Sequence, residues 1–347
     1  MEKNKNNRLS ALDLIKFIAS LFVIFIHCTF YGDLGVAIKS IARFAVPFFF
    51  ICSGFFLYGN SPEKILKKIV HIIKLLLFSS VLYFAFNIAL NFAGGGTEGV
   101  LEYFSNIINL KSLLKLILFN KPLSSTHLWY LLASVYVYFI YYLITKLKIP
   151  DKIVFAAAFF LIFAHLVIWQ LNLSLNITDN TFFVRNFLFI GFPFVTIGVF
   201  IKKYQHKIPK ISNINLILLL LVGSALCVAS RFIFGNKSLP LGAIIISVSL
   251  FIFALNVKLE NCSKFVKNAG TYSTYIYIFH QIFNQIIVRA FYFIASRIGI
   301  NAESMLWTNL MPIIVCVVTI AYVIVFCNIQ QRFFSFLNNL KHKKDFS

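Results

Sequence analysis

The feature that most constrains this chain is a succession of long apolar runs, at about 11–30, 38–58, 69–93, 127–147, 151–170, 183–201, 212–233, 239–257, 271–296 and 306–333. A helix crossing the hydrocarbon layer of a bilayer needs about 20 apolar residues, and each run approaches that length. Every backbone amide and carbonyl in lipid must be paired within the protein, so only helices or a closed barrel can span. Barrel strands alternate apolar and polar residues, and these runs do not. Composition agrees: 60% of the 347 residues are hydrophobic and 12% charged, with a mean hydropathy of +0.85, far from a soluble domain. The expectation is an all-α fold, a polytopic integral-membrane helical bundle of about ten spans. It forms one domain over 1–347, with short tails at about 1–10 and 334–347. Between the third and fourth runs, "LEYFSNIINLKSLLKLILFNK" is too interrupted to span and fits a helix lying on the outer surface.

A net charge of +21 on a soluble domain would suggest nucleic acid. Here the basic residues gather in short loops: "MEKNKNNR", "EKILKK", "KLKIPDK", "KKYQHKIPK", "KLENCSKFVK" and "KHKK" fall on alternate sides, while "WQLNLSLNITDN" opposite them is almost uncharged. The positive-inside bias then places both termini in the cytoplasm, with membrane lipid and not nucleic acid as the partner. Protein partners are not legible. The first run lacks an A-x-A-like cleavage site and reads as a retained span. Six cysteines, Cys28, Cys52, Cys227, Cys262, Cys316 and Cys327, show no CxxC pair, so neither a disulfide framework nor a metal site is expected.

The first run carries ionisable residues that hydrocarbon disfavours. On a helix Asp13, Lys16, Ser20 and His27 share one stripe within about 60°, and the step from Asp13 to His27 rises roughly 21 Å, from one membrane boundary to the outer leaflet. Such groups avoid lipid and face a bundle interior or an aqueous cavity, so one reading is a polar channel. The other is that Asp13 and Lys16 snorkel to the inner interface while His27 bonds a neighbouring helix.

Further polar residues fall in the other runs. In "RFAVPFFFICSGFFL", Arg43, Pro47 and Gly54 share a face, with the proline expected to kink the helix; Arg43 is either a headgroup anchor or functional. In "TYSTYIYIFHQIFNQIIVRAF", Ser273, Tyr277, His280 and Asn284 line one face. His127 and Trp129 in "STHLWY", together with Arg185, are outer-side candidates, although a tryptophan there also suits the interface belt. "SPEKILKKIVHIIK" gathers Lys64, Lys67 and Lys68, either as topology signals or as a clamp for an anionic cytosolic cosubstrate. No GxxxxGK, HExxH or GxSxG motif occurs, which argues against nucleotide hydrolysis, zinc hydrolysis and an activated serine.

The order "LDLIKFIASLFVIFIH", "RFAVPFFFICSGFFL", "HLWYLLAS", "RNFLFIGFPFVTIGVFI", "GTYSTYIYIFH" resembles the membrane-bound acyltransferase-3 family over nearly the whole chain. The resemblance implies transfer of an acyl group, usually acetyl, from acyl-CoA (acetyl-CoA) across the bacterial plasma membrane to a hydroxyl of a glycan or lipid-linked sugar. It implies no metal. His27 matches the family's first-helix catalytic histidine, Asp13 and Lys16 its acidic-and-basic motif, Arg43, Ser53 and Gly54 its R…VP.FF..SG segment, and His280 the end of Y-x-x-H, where Tyr277 precedes it. Lys64, Lys67 and Lys68 replace a pair of arginines, keeping charge without bidentate geometry. In the mechanism this suggests, His27 is the general base and Arg43 or His280 meets the developing oxyanion. Substrate contacts fall to Ser53, Tyr277, His127, Trp129 and Arg185. The rival reading is a transporter or flippase of a polysaccharide or lipid-linked intermediate, which a polar midplane row also suits.

Overall fold

A computed structural model describes residues 9–175, 186–207, 210–235 and 239–344. Their regular structure is helical throughout: α1 (Ser10–His27), α2 (Gly32–Ala42), α3 (Ala45–Phe55), α4 (Pro62–Ile107), α5 (Leu110–Phe119), α6 (Trp129–Lys146), α7 (Asp151–Leu175), α8 (Phe192–Tyr204), α9 (Asn213–Phe234), α10 (Leu241–Asn256), α11 (Lys264–Ile298) and α12 (Met305–Lys344). Among the described residues, eight helical stretches are long and apolar enough to cross a membrane, and Leu241–Asn256 is a shorter apolar helix.

Local sequence explains the ends and breaks. Pro62 begins α4 directly after Ser61, where its missing N–H is no loss. Ser263 caps α11 by accepting from the Val266 amide at 3.4 Å, and Gly299 closes that helix in the left-handed region. The α4 helix runs well past the predicted 69–93, breaking its regular backbone only at Gly95 and Gly96. The segment expected to form one surface helix over 101–121 is divided: its first seven residues end α4, and α5 buries none of its residues. In the second apolar run the interruption lies not at Pro47 but at Arg43 and Phe44, between α2 and α3. Proline lacks the N–H that would bond the carbonyl four residues earlier, and its ring crowds that carbonyl, which here is Arg43's.

The chain divides into two compact units, one made of its two ends, Met1–Ala42 and Val257–Ser347, the other of Arg43–Asn256. In the first, α1 packs along α11 and α11 along α12. Tyr275, Phe279, Tyr322 and Phe326 interlock there at ring separations of 5.0–5.2 Å for the α11–α12 pairs. Two polar ties reinforce the unit: Tyr275 OH donates to Gln330 Oε1 at 3.1 Å, and the Tyr31 amide to Asn309 Oδ1 at 2.9 Å.

The second unit is held by glycine crossings. A Cβ built on Gly54 in α3 would run into the Val195 carbonyl of α8, and one on Gly198 would run into the Ile51 carbonyl. Lipid offers helices no hydrophobic drive to associate, so close backbone approach through small residues supplies the packing. The α9–α10 pair repeats the device at Gly223 and Gly242. At Ser247 of α10 the hydroxyl donates to the Phe44 carbonyl at 2.9 Å, beside the α2–α3 break.

Candidate functional site

In the first unit the two polar rows read separately from the sequence face each other along the α1–α11 contact. At one end Lys16 Nζ pairs with Asp13 Oδ1 at 3.2 Å. The Asp13 carboxylate lies over Gly270, whose absent Cβ would sit 2.5 Å from Oδ1. Next along, the Ser273 hydroxyl donates to the Lys16 carbonyl at 3.0 Å. Ser20, 0% exposed, turns its hydroxyl back to the Phe17 carbonyl at 2.6 Å. From Asp13 to Lys16 the stripe therefore lies against α11, where Gly270 and Ser273 are small enough for the two helices to approach closely.

At the other end α1 stops at His27, where its last carbonyls lack intrahelical donors. The Asn284 amide supplies one, reaching the His27 carbonyl at 3.4 Å. The rings of His27 and His280 lie with centroids 5.2 Å apart and planes tilted by 45°. His280, 0% exposed, directs Nδ1 at the carbonyls of Tyr277 at 2.9 Å and Ile276 at 3.2 Å. Carbonyl oxygens only accept, so Nδ1 carries the proton and a neutral His280 offers a lone pair at Nε2. Tyr277, itself buried, lies beside it with rings 6.2 Å apart.

In the second unit, the Ser53 hydroxyl lies near the phenols of Tyr130 and Tyr138 of α6. Gly54 belongs to the α3–α8 crossing, which gives it a packing role. Arg43 stands at the α2–α3 break. His127 is buried, its Nδ1 2.8 Å from Ser125 Oγ and its ring edge-on to Tyr83 at 4.7 Å. Trp129 opens α6, its carbonyl accepting from Asn120 Nδ2 at 3.4 Å. Arg185 lies outside the described residues.

Lys64 and Lys67 are exposed on the first turns of α4. Lys68 donates to the Phe56 carbonyl at 2.6 Å, tying the α3–α4 turn to the helix. Ile65, on the same turn, lines a cavity of about 340 Å³ that also takes in Tyr58, Asn60, Tyr141, Thr145, Lys148 and Asp151. Asp151 pairs with Lys203, and Lys202 Nζ sits 4.8 Å over the Phe55 ring. Sequence reasoning took Lys148, Lys202 and Lys203 only as topology signals. The repeated basic ends of adjacent spans were the available hint that they converge. Among the described residues no group of three metal-ligating side chains forms.

A chain of apolar helices with ionisable rows along their contacts defines a multi-pass membrane protein. The model of the acyltransferase-3 family, described as an acyltransferase domain, matches residues 9–326, and the chain belongs to that family. Two curated proteins from Enterococcus faecalis, both named amino-acid racemase, are similar to it. One is 28% identical over 239 residues, 61% of this chain and 30% of that protein. The other is 24% identical over 336 residues, 89% of this chain and 45% of that protein. The chain thus spans less than half the length of these relatives. No solved structure matches.

Proposed function

We propose that the protein transfers an acyl group, acetyl in the first instance, from cytosolic acyl-CoA to a hydroxyl of an extracytoplasmic or lipid-linked glycan at the bacterial plasma membrane. In this reading the chain crosses about ten times with both termini in the cytoplasm. The observation that carries it is the His27–His280 pair at one end of the α1–α11 seam, in a chain whose family domain covers 9–326.

His27 is the general base. Its lone pair takes the proton of the acceptor hydroxyl as that oxygen attacks the thioester carbonyl carbon. The tetrahedral intermediate then collapses, expelling the CoA thiolate, which recovers the proton from His27 and leaves as the thiol. A neutral His280 has no N–H left for an oxyanion once Nδ1 is committed to Tyr277 and Ile276, so Arg43 takes that role in the proposal and His280 orients His27. Asn284 steadies the His27 backbone. Lys64, Lys67 and Lys68 meet the donor's phosphates as point charges at the rim of the cavity that Ile65 lines. Asp13 and Lys16 hold the inner end of the seam. Tyr277 and Ser53 pack the two histidine and tyrosine clusters, while His127, Trp129 and Arg185 serve the acceptor.

The test is incubation of membranes bearing the protein or its His27→Ala variant with labelled acetyl-CoA, following label into lipid and glycan fractions. Loss of a general base slows transfer by about 10²- to 10⁴-fold. Equal labelling by both proteins overturns the role of His27. No labelling by either, with glycan export still dependent on the protein, favours a transporter.

A further inference from the structure

We propose that the cavity of the second unit is a nucleoside-phosphate site in which Asp151 competes with the ligand for Lys203. About 340 Å³ in volume, it is bounded by the α3–α4 turn, the α6–α7 turn and α8. Pockets that hold small ligands begin near about 300 Å³ and combine an apolar lining with a few placed polar groups. Here Leu57, Ile65, Ile144 and Val199 bring apolar side chains, and Tyr58 brings a ring. The lining also carries a carboxylate, Asp151, and an ammonium, Lys148.

Both charged residues are placed in a way that a solvated edge does not require. Lys148 closes α6 in the left-handed region at φ 53°, its amide bonded to the Thr145 carbonyl at 3.3 Å and the amide of Ile149 to the Ile144 carbonyl at 3.0 Å. Helices that end this way ordinarily put glycine there, because a Cβ crowds the backbone. A topology signal alone needs no strained position and is already supplied by exposed Lys146, so what the turn retains is a lysine beside the cavity.

Asp151 opens α7 and pairs with Lys203 of α8. The two side chains are 45% and 28% exposed, and ion pairs left that far in water hold weakly. A phosphate monoester carries a charge of about −1.5 to −2 at pH 7, more than the carboxylate it would displace. Two neighbouring ammonium groups are engaged in other ways, Lys68 with the Phe56 carbonyl and Lys202 over the Phe55 ring. They add to the positive field, while Lys148 and Lys203 meet the phosphate. An apolar lining beside these charges suits an anion with a flat, partly apolar body better than a bare ion, and a nucleoside phosphate has both parts. That this nucleotide is the end of the acyl donor rests on the acyl-transfer reading; that Asp151 competes for Lys203 does not.

The test titrates the full chain in phosphatidylcholine nanodiscs with adenosine monophosphate, and with adenosine and inorganic phosphate for comparison, by calorimetry at low salt. The nucleotide is expected to bind more tightly than either of its parts. Asp151→Asn keeps the shape and removes the charge, and is expected to tighten nucleotide binding by about two- to fivefold, the range set by exposed ion pairs. Lys203→Gln is expected to weaken binding by a similar factor and, combined with Asp151→Asn, to abolish the gain. Lys148→Gly is expected to weaken binding while the melting temperature holds or rises, since glycine fits the left-handed turn. Nucleotide binding no tighter than that of its parts, or an Asp151→Asn gain that is absent or survives without Lys203, overturns the proposal. Loss of nucleotide binding in nanodiscs containing phosphatidylglycerol would give the cavity to lipid headgroups and overturns it as well. The same samples, given labelled acetyl-CoA, separate the two claims. Nucleotide binding that follows these variants, without transfer by the unmodified protein, removes the acyl-transfer reading and keeps the site. Transfer with nucleotide binding unmoved in every variant removes the site and keeps the acyl-transfer reading.

Discussion

The Asp13 carboxylate rests on the bare backbone of Gly270, so the Asp13 end of the α1–α11 seam is set by a side chain that is missing. A methyl group at 270 would lie 2.5 Å from Oδ1 and 2.9 Å from Cγ. Alanine is ordinarily the better helix residue by about 1 kcal/mol. Gly270→Ala is expected to reverse that sign, lowering stability by about 1–3 kcal/mol through overpacking and displacing Asp13 from Lys16. Thermal melting of the purified protein in one detergent checks it, and a raised melting temperature would show that Asp13 simply swings aside.

His280 offers a sharper separation of structure from chemistry. Asparagine there can still donate to the Tyr277 and Ile276 carbonyls but has nothing at the Nε2 position. His280→Asn is expected to melt within a few degrees of the unmodified protein while its kcat falls by about tenfold or more, with KM for acyl-CoA little changed. A fall in melting temperature matched to the fall in rate would reduce His280 to a packing residue.

The α3–α8 crossing tolerates no such exchange. At Gly54 and Gly198 an added methyl meets backbone carbonyls of the facing helix, which cannot move without parting the helices. Gly54→Ala and Gly198→Ala are each expected to cost about 3 kcal/mol or more, at the upper end of overpacking effects. Size-exclusion profiles of fluorescently tagged protein should show loss of the monodisperse peak. A symmetric peak at normal yield from either variant would contradict the crossing.

Much of the membrane architecture was legible because lipid imposes one rule on every span, and the apolar runs obey it. The α1 and α11 polar rows were also legible, since helical periodicity alone sorts residues onto faces. That those faces meet was not. Their meeting depends on Gly270 and Ser273 lying opposite Asp13 and Lys16, and pairing between helices some 250 positions apart leaves no mark in either helix's periodicity. The break at Arg43 was misplaced for a local reason, the reach of Pro47 back to the carbonyl four residues earlier.

The α4 lysines separate topology from binding. Lys64 and Lys67 are exposed, whereas Lys68 is engaged with the Phe56 carbonyl. Reversing Lys68 would therefore disturb the α3–α4 turn as well as the field, and the informative variant is Lys64→Glu with Lys67→Glu. Each exposed charge contributes about 0.2–1 kcal/mol to an ionic contact, so reversing two is expected to raise KM for acyl-CoA by about tenfold with kcat unchanged. The effect should shrink toward 1 M salt, where the screening length falls to about 3 Å. An unchanged KM at low salt would leave these lysines as topology signals alone. A loss of membrane insertion in place of a KM change would say the same in another way, because orientation is what positive-inside charges set.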